Sequence, residues 1–211
     1  MEVIYVKREQ RILYKELNKA MLDIINKYSK QYKFKKKADF VWTSKKDFFF
    51  CVDFLLGVTE TDGVLICSAY ERCKPLWTDN IMWEVLDMKE NLSAPTSLRG
   101  DGAFAFYGLR YNSTNIKINN WKAEEIEEAI STMIYSFDKY INSFNSDLFY
   151  KNEDKIIYQD TLYKLLYLIH LKEYEKAYLY ANEMSDGYFI NKGKELSEYA
   201  MDYCRLKMSG K

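Results

Sequence analysis

Histidine is nearly missing from this chain of 211 residues, which holds a single one, His170. Zinc sites built on several histidines, Ser-His-Asp triads and two-histidine acid–base pairs are excluded unless His170 serves. Proline is almost as scarce, at two, and glycine stands at eight, which argues against long disordered linkers. Neither sign of charge is in surplus. The 31 basic and 31 acidic residues cancel, removing the broad electrostatic footprint of a dedicated nucleic-acid binder. No run approaches the roughly 18–20 apolar residues of a membrane span, and the Met1 end lacks an apolar signal core. A cytosolic protein without a membrane partner is therefore expected. The four cysteines, Cys51, Cys67, Cys73 and Cys204, form no C-x-x-C pair and read as small buried hydrophobes in a reducing compartment. With no Gly-rich phosphate loop, nucleophile elbow or dinucleotide fingerprint, no cofactor is expected either.

What is abundant is aromatic surface: 17% of residues, with 19 tyrosines carrying the excess. Rings with a polar tip suit core edges and protein interfaces alike. Three of the four tryptophans and three of the four cysteines fall between Asp39 and Tyr111.

The apolar periodicity sets the architecture. Leu13, Leu17, Ala20, Met21, Ile24 and Tyr28 recur at helical spacing, predicting a helix over 8–28 after a short edge strand at Val3–Val6. Lys33-Phe34-Lys35-Lys36-Lys37 reads as a solvated basic connector. Phe40–Thr43 and Phe48–Leu56 form a hairpin, and Val64–Cys73 returns beside it. Because Phe48–Leu56 is apolar on both faces except at Asp53, it reads as a central strand. Thr78-Asp79-Asn80 offers caps for a short helix over 81–89. Residues 95–111 read as a strand pair or one kinked strand, with a bulge or close backbone approach at Gly100 and Gly102, and 112–120 as a polar loop. Ile126, Ile130, Met133, Ile134, Phe137 and Ile141 predict a long helix over 121–144. Three further helices follow, over 156–171, 173–184 and 191–208. The expectation is an α+β fold. A mainly antiparallel sheet with two long helices occupies residues 1–145, and a helical extension occupies 146–211.

Two resemblances add to this. The stretch Phe34-Lys35-Lys36-Lys37 ahead of an aromatic strand resembles a family of bacterial domains recognised by Phe-Lys-Lys-Lys-Gly, over about residues 8–142, with Ala38 in place of the glycine. Some members look like immunity proteins of bacterial toxin systems, which implies an α+β fold and a protein partner and carries no catalytic residues. Leu171-Lys-Glu-Tyr-Glu-Lys-Ala-Tyr-Leu-Tyr-Ala181 resembles one tetratricopeptide-type helical hairpin, without the closing proline.

Two function classes follow. The first is a non-enzymatic interaction module, immunity or regulatory in kind. It would bind another protein, with a homodimer also allowed, through Arg99, Asp101, Arg110, Glu71, Trp77 and Trp83. The second is a metal-dependent, nuclease-like enzyme using Asp53 and Glu71. Pairing residues whose numbers sum to about 120 puts Asp53 and Glu71 on one face of the sheet, about four residues or 13 Å apart. That distance is too long for one shared metal, and Glu71-Arg72-Cys73-Lys74 places its lysine one residue late for a Glu-x-Lys motif. His170 is expected at a helix boundary, touching a neighbouring helix.

Overall fold

The computed structural model describes residues 8–59, 63–102, 104–151, 160–184 and 189–210. The edge strand expected at Val3–Val6 lies outside them. In chain order the elements are helix α1 (Arg8–Gln31), strands β1 (Lys35–Lys37), β2 (Phe40–Lys45), β3 (Phe48–Val58) and β4 (Leu65–Pro75), and helix α2 (Leu76–Val85). A 3-10 turn (Lys89–Ser93) and the one-turn helix α3 (Leu98–Asp101) precede β5 (Leu109–Ile118). Helices α4 (Ala123–Ser143), α5 (Ser146–Lys151), α6 (Thr161–His170), α7 (Tyr174–Glu183) and α8 (Leu196–Met208) complete the described chain. The class is α+β as expected, with one antiparallel five-stranded sheet in the order β1-β2-β3-β4-β5.

Contacts divide the chain into two units. The first holds 1–46, 50–73 and 110–144, and the second holds 47–49, 74–109 and 145–211. The second unit also takes in the excursion between β4 and β5.

In the first unit, α1 and α4 pack together over the sheet. Ile126, Ala129, Ile130, Met133, Ile134, Phe137 and Ile141 are buried along one stripe of α4, each large side chain contributing about 1.5–3 kcal/mol relative to exposure. Phe50 meets Tyr140 and Phe144 edge-on, Phe34 meets Phe137 likewise, and the Tyr14 hydroxyl donates to the Leu56 carbonyl at 2.6 Å. The basic connector is in fact an edge strand. Lys35, Lys36 and Lys37 pair with Trp42, Val41 and Phe40, and three lysines at a sheet edge discourage pairing with another sheet.

The polar loop expected over 112–120 is a strand. Asn112, Thr114 and Ile116 are half-buried and Ile118 is buried, while Ser113, Asn115 and Lys117 face solvent. Asparagine and serine on the solvent side hide this alternation, since edge strands need no apolar outer face. Tyr111 and Asn112 are both inward, so the alternation slips by one residue there, as at a β-bulge. Residues 95–101 are not strand but the short turns around α3. The glycine expectation holds at Gly102, where a Cβ would lie 2.3 Å from the Leu98 carbonyl oxygen.

In the second unit, α2 begins directly after Pro75, earlier than the 81–89 expected. Pro75 enters it with an extended backbone, no side chain caps it, and Asp79 bonds elsewhere. Buried Met82, Val85, Leu86 and Phe106 pack with Tyr163, Leu165, Leu166 and Ile169 of α6, Ala177 and Ala181 of α7, and Leu196, Ala200 and Cys204 of α8. Alanine at 177, 181 and 200 lets α7 and α8 approach closely as a hairpin. A capping box starts α8: Glu195 and Glu198 each accept from the other's backbone region, satisfying otherwise orphaned N–H groups.

Candidate binding site

The residues singled out in the sequence have separate settings. Glu71 on β4 is 1% exposed. The bulge aims two side chains at it: Asn112 donates to its Oε1 at 3.1 Å, and Tyr111 leans on the carboxylate without a hydrogen bond of good geometry for its own hydroxyl. Burial pushes the Glu71 carboxyl above its usual range, and Asn112 and Tyr111 only partly offset this. Above it Tyr111 and Tyr140 stack at 3.7 Å between ring centroids. Burial likewise holds the phenols of both tyrosines well above the ordinary range and the Cys73 thiol up to about 12.

Asp53 forms an ion pair with Arg72. Its carboxyl is raised by burial, against the lowering effect of the Arg72 guanidinium. The shared face expected for Asp53 and Glu71 is wrong. Successive residues of a strand point to opposite faces, so Arg72, which holds Asp53, and Glu71 lie on opposite sides of β4. The cause is the turn. Thr59 and Val64 close it through Thr59 N–H to Val64 carbonyl, which sets the pairing sum near 123 instead of 120 and flips one strand's face. Among the described residues no group of three metal-ligating side chains exists.

Residues 98–101, expected at a sheet end, form the short helix α3. Arg110 stacks over the Tyr70 ring at 4.7 Å. Asp101 closes α3, and its side chain lies outside the described residues. Arg99 instead joins a cluster that sequence reasoning missed, centred on Lys74 and Asp79, which are 1% and 0% exposed. Lys74 Nζ donates to Asp79 Oδ1 at 2.7 Å, to the Arg99 carbonyl at 2.7 Å and to the Phe106 carbonyl. Arg99 donates to Asp79 Oδ2 at 3.3 Å, to Asn80 Oδ1 at 2.8 Å and to the Leu76 carbonyl at 3.0 Å, and lies over the Trp83 ring. The Phe106 N–H also donates to Asp79. Asp79 thus balances two cations and a backbone donor, and the cluster ties the excursion 74–106 to itself. The sequence signal was a charged residue two places before α2 and another in its first turn, which cap logic absorbed instead.

Of the tryptophans, Trp83 is buried, its indole N–H donating to the Phe104 carbonyl at 2.7 Å. Trp77 stacks on His170 at 4.2 Å and 8° between rings, with Tyr163 and Tyr167 beside it. That contact carries α2 onto α6, the neighbouring-helix role expected of His170. Burial lowers the His170 imidazole below its ordinary range. All four cysteines are free and buried, in line with their reading as packing.

Glu71, Lys74, Asp79 and Trp83 are buried, whereas Arg110 and His170 are exposed. An open feature of the second unit is a groove of about 320 Å³ between the end of α2 and the outer face of α8. Val85, Leu206 and the rings of Tyr199 and Tyr203 give it apolar walls, and Glu84, Asp87, Lys89, Asp202 and Lys207 rim it. Leu206 is 55% exposed, and Leu179 on α7 and Met208 on α8 also face solvent. Asp202 is held by Lys194 and Arg205, and Lys89 lies 4.0 Å from Glu84. The sequence pattern placed Leu196, Tyr199, Ala200 and Tyr203 on one face; Leu196 and Ala200 are buried in the core, and Tyr199 and Tyr203 are half-buried against it. Tyr199, Tyr203 and Leu206 line this groove, and the two tyrosines also pack against the core of the unit. No described helix is long and apolar enough to cross a membrane. Comparison of the chain with protein-family models, with curated proteins and with solved structures finds no match.

Proposed function

We propose that the protein is a non-enzymatic interaction module that binds another protein through the groove of its helical unit. The observation that carries this reading is the contrast in how side chains are used. The buried charges at Lys74, Asp79 and Arg99 and at Asp53 and Arg72 spend their bonds within the fold. The half-buried tyrosines and the exposed Leu206 of α8 face an open groove. Aromatic rings with aliphatic neighbours at a concave surface are the composition that anchors protein partners. An immunity or regulatory role in a bacterial toxin system is the form of this reading that the resemblance over residues 8–142 implies.

The test is capture of partners from the source cell by the wild-type chain, by Leu206→Asp and by Lys27→Ala, with quantitative mass spectrometry. Leu206 is exposed, so its substitution leaves the fold intact. One protein enriched by wild type and by Lys27→Ala, and lost with Leu206→Asp, is the expected result. Enrichment indifferent to Leu206→Asp, or no enriched protein at all, refutes the groove as the binding surface.

A further inference from the structure

We infer that the lysines at the end of α1 and along β1 bind the phosphate backbone of a nucleic acid, without reading its sequence. This surface belongs to the first unit and is independent of the groove.

Charge that cancels over the whole chain is unevenly spread along it. Between Asp23 and Asp39 stand six lysines, Lys27, Lys30, Lys33, Lys35, Lys36 and Lys37, and no acid. Lys27 is matched by Glu127 of α4, whereas Lys30, Lys33, Lys35 and Lys36 have no ion pair among the described residues. The backbone that carries them is fixed. The Lys33 N–H donates to the Lys30 carbonyl at 3.2 Å and the Phe34 N–H to the Ser29 carbonyl at 2.8 Å, closing α1 with Lys33 in the left-handed region at φ of 60°. Phe34 then anchors edge-on against Phe137, and β1 pairs with β2.

The fold thus holds like charges together, at a cost in mutual repulsion that falls when a polyanion binds. The structural roles open to these lysines cover only part of the set. A helix C-terminus favours cations near its last turn, which accounts for Lys30 and Lys33 and not for Lys35 or Lys36. Shortness alone already blunts an edge strand, and β1 has three residues.

What accompanies the lysines decides the polyanion. Among the described residues, no large apolar side chain between Leu13 and Leu55 is exposed. The segment therefore lacks the exposed rings or aliphatic groups that sink into a lipid interface or anchor a protein partner. Three residues of edge are also too few for an acidic peptide to add as a strand. Lysine contacts to phosphates need neither, and they supply essentially all of sequence-independent nucleic-acid binding.

Fluorescence anisotropy tests this with the full chain, using a labelled oligodeoxythymidine and a labelled duplex. Both should bind with Kd of about 1–100 μM at low salt, and four phosphate contacts should give log K a slope of about −3 to −4 against log salt. Lys30→Gln, Lys33→Gln, Lys35→Gln and Lys36→Gln combined should weaken binding about tenfold or more. Lys15→Gln, Lys19→Gln, Lys117→Gln and Lys139→Gln combined make the same change in net charge at exposed positions and should alter it by less than about twofold. Poly-glutamate and phosphatidylserine vesicles should compete weakly. No binding at low salt, equal loss in the two combined variants, a salt slope near zero, or tighter binding to poly-glutamate or to the vesicles each overturns the inference. Leu206→Asp should bind the oligonucleotide as wild type does, so the outcome for the groove leaves this result unaffected.

Discussion

Replacing Glu71 by glutamine should make the protein more stable at neutral pH. Glu71 is a carboxylate at 1% exposure that accepts from Asn112 and has Tyr111 beside it, with no ion pair to it among the described residues. Desolvating a charge costs several kcal/mol after relaxation, and one amide donor returns only part of it. Glutamine keeps the acceptor for Asn112 and removes the charge. The net gain at pH 7 should be about 1–3 kcal/mol. Its pH dependence is the sharper signature. Because the folded carboxyl is raised above its ordinary 4.5, the folded state holds a proton that the unfolded state has released. Wild-type stability from this group is thus greatest below about 4.5 and falls as pH rises through the folded value. The advantage of Glu71→Gln should be full at pH 7 and vanish by pH 4. Thermal unfolding followed by circular dichroism at pH 4, 5.5 and 7 reads this directly, at about 2–4 °C per kcal/mol for a chain of this size. A variant no more stable than wild type at pH 7, or one whose gain persists at pH 4, refutes the account of Glu71 as an uncompensated buried charge.

Asp79→Ala should cost about 3–5 kcal/mol in urea unfolding, because it leaves Lys74 and part of Arg99 buried without a counter-charge. Lys74→Ala with Asp79→Ala should cost less than the sum of the two, and strict additivity would dissolve the cluster as a unit. Lowering pH below about 6.5 should reduce stability through His170, whose folded imidazole is depressed by burial so that the unfolded chain binds the proton first. His170→Phe should flatten that limb of a stability–pH series while keeping the stack on Trp77. The four thiols should be unreactive to a chromogenic disulfide reagent in the native protein and titrate fully in denaturant, since burial holds Cys67 and Cys73 up to about 12 and Cys204 up to about 11.

Helical periodicity was the most legible signal in the sequence. The stripe on α4 was found with its buried residues, because a helix repeats its apolar face over many turns; on α1 Leu17, Met21 and Ile24 are buried as expected, whereas Leu13 is exposed and buried Ile25 was missed. The strand β5 was missed, because Asn112, Ser113 and Asn115 look like a loop when burial is one-sided and the alternation slips at Tyr111. The β3–β4 register failed by an odd number of residues in the pairing sum. Turn geometry sets that number, residues 57–64 carry several plausible turns, and an odd shift moves every side chain of one strand to the other face. The Lys74–Asp79 pair was out of reach for a different reason. Its two members belong to a strand end and a helix start, where each charge has an ordinary local explanation. Groove residues Tyr199 and Tyr203 were visible as part of a stripe. What the stripe did not show is which of its members the core uses.

The second unit is assembled from three stretches of chain, and this orders events during synthesis. Met82, Val85, Leu86 and Phe106 leave the ribosome long before Tyr163, Leu166, Ala200 and Cys204, the side chains that bury them. At 5–20 residues per second the wait is on the order of ten seconds. Throughout it the excursion carries an uncovered apolar surface next to strands already free to pair. A chain stopped at residue 145 would keep that surface for good, so the early segment is the place where misassembly begins and where a holding chaperone has something to grip.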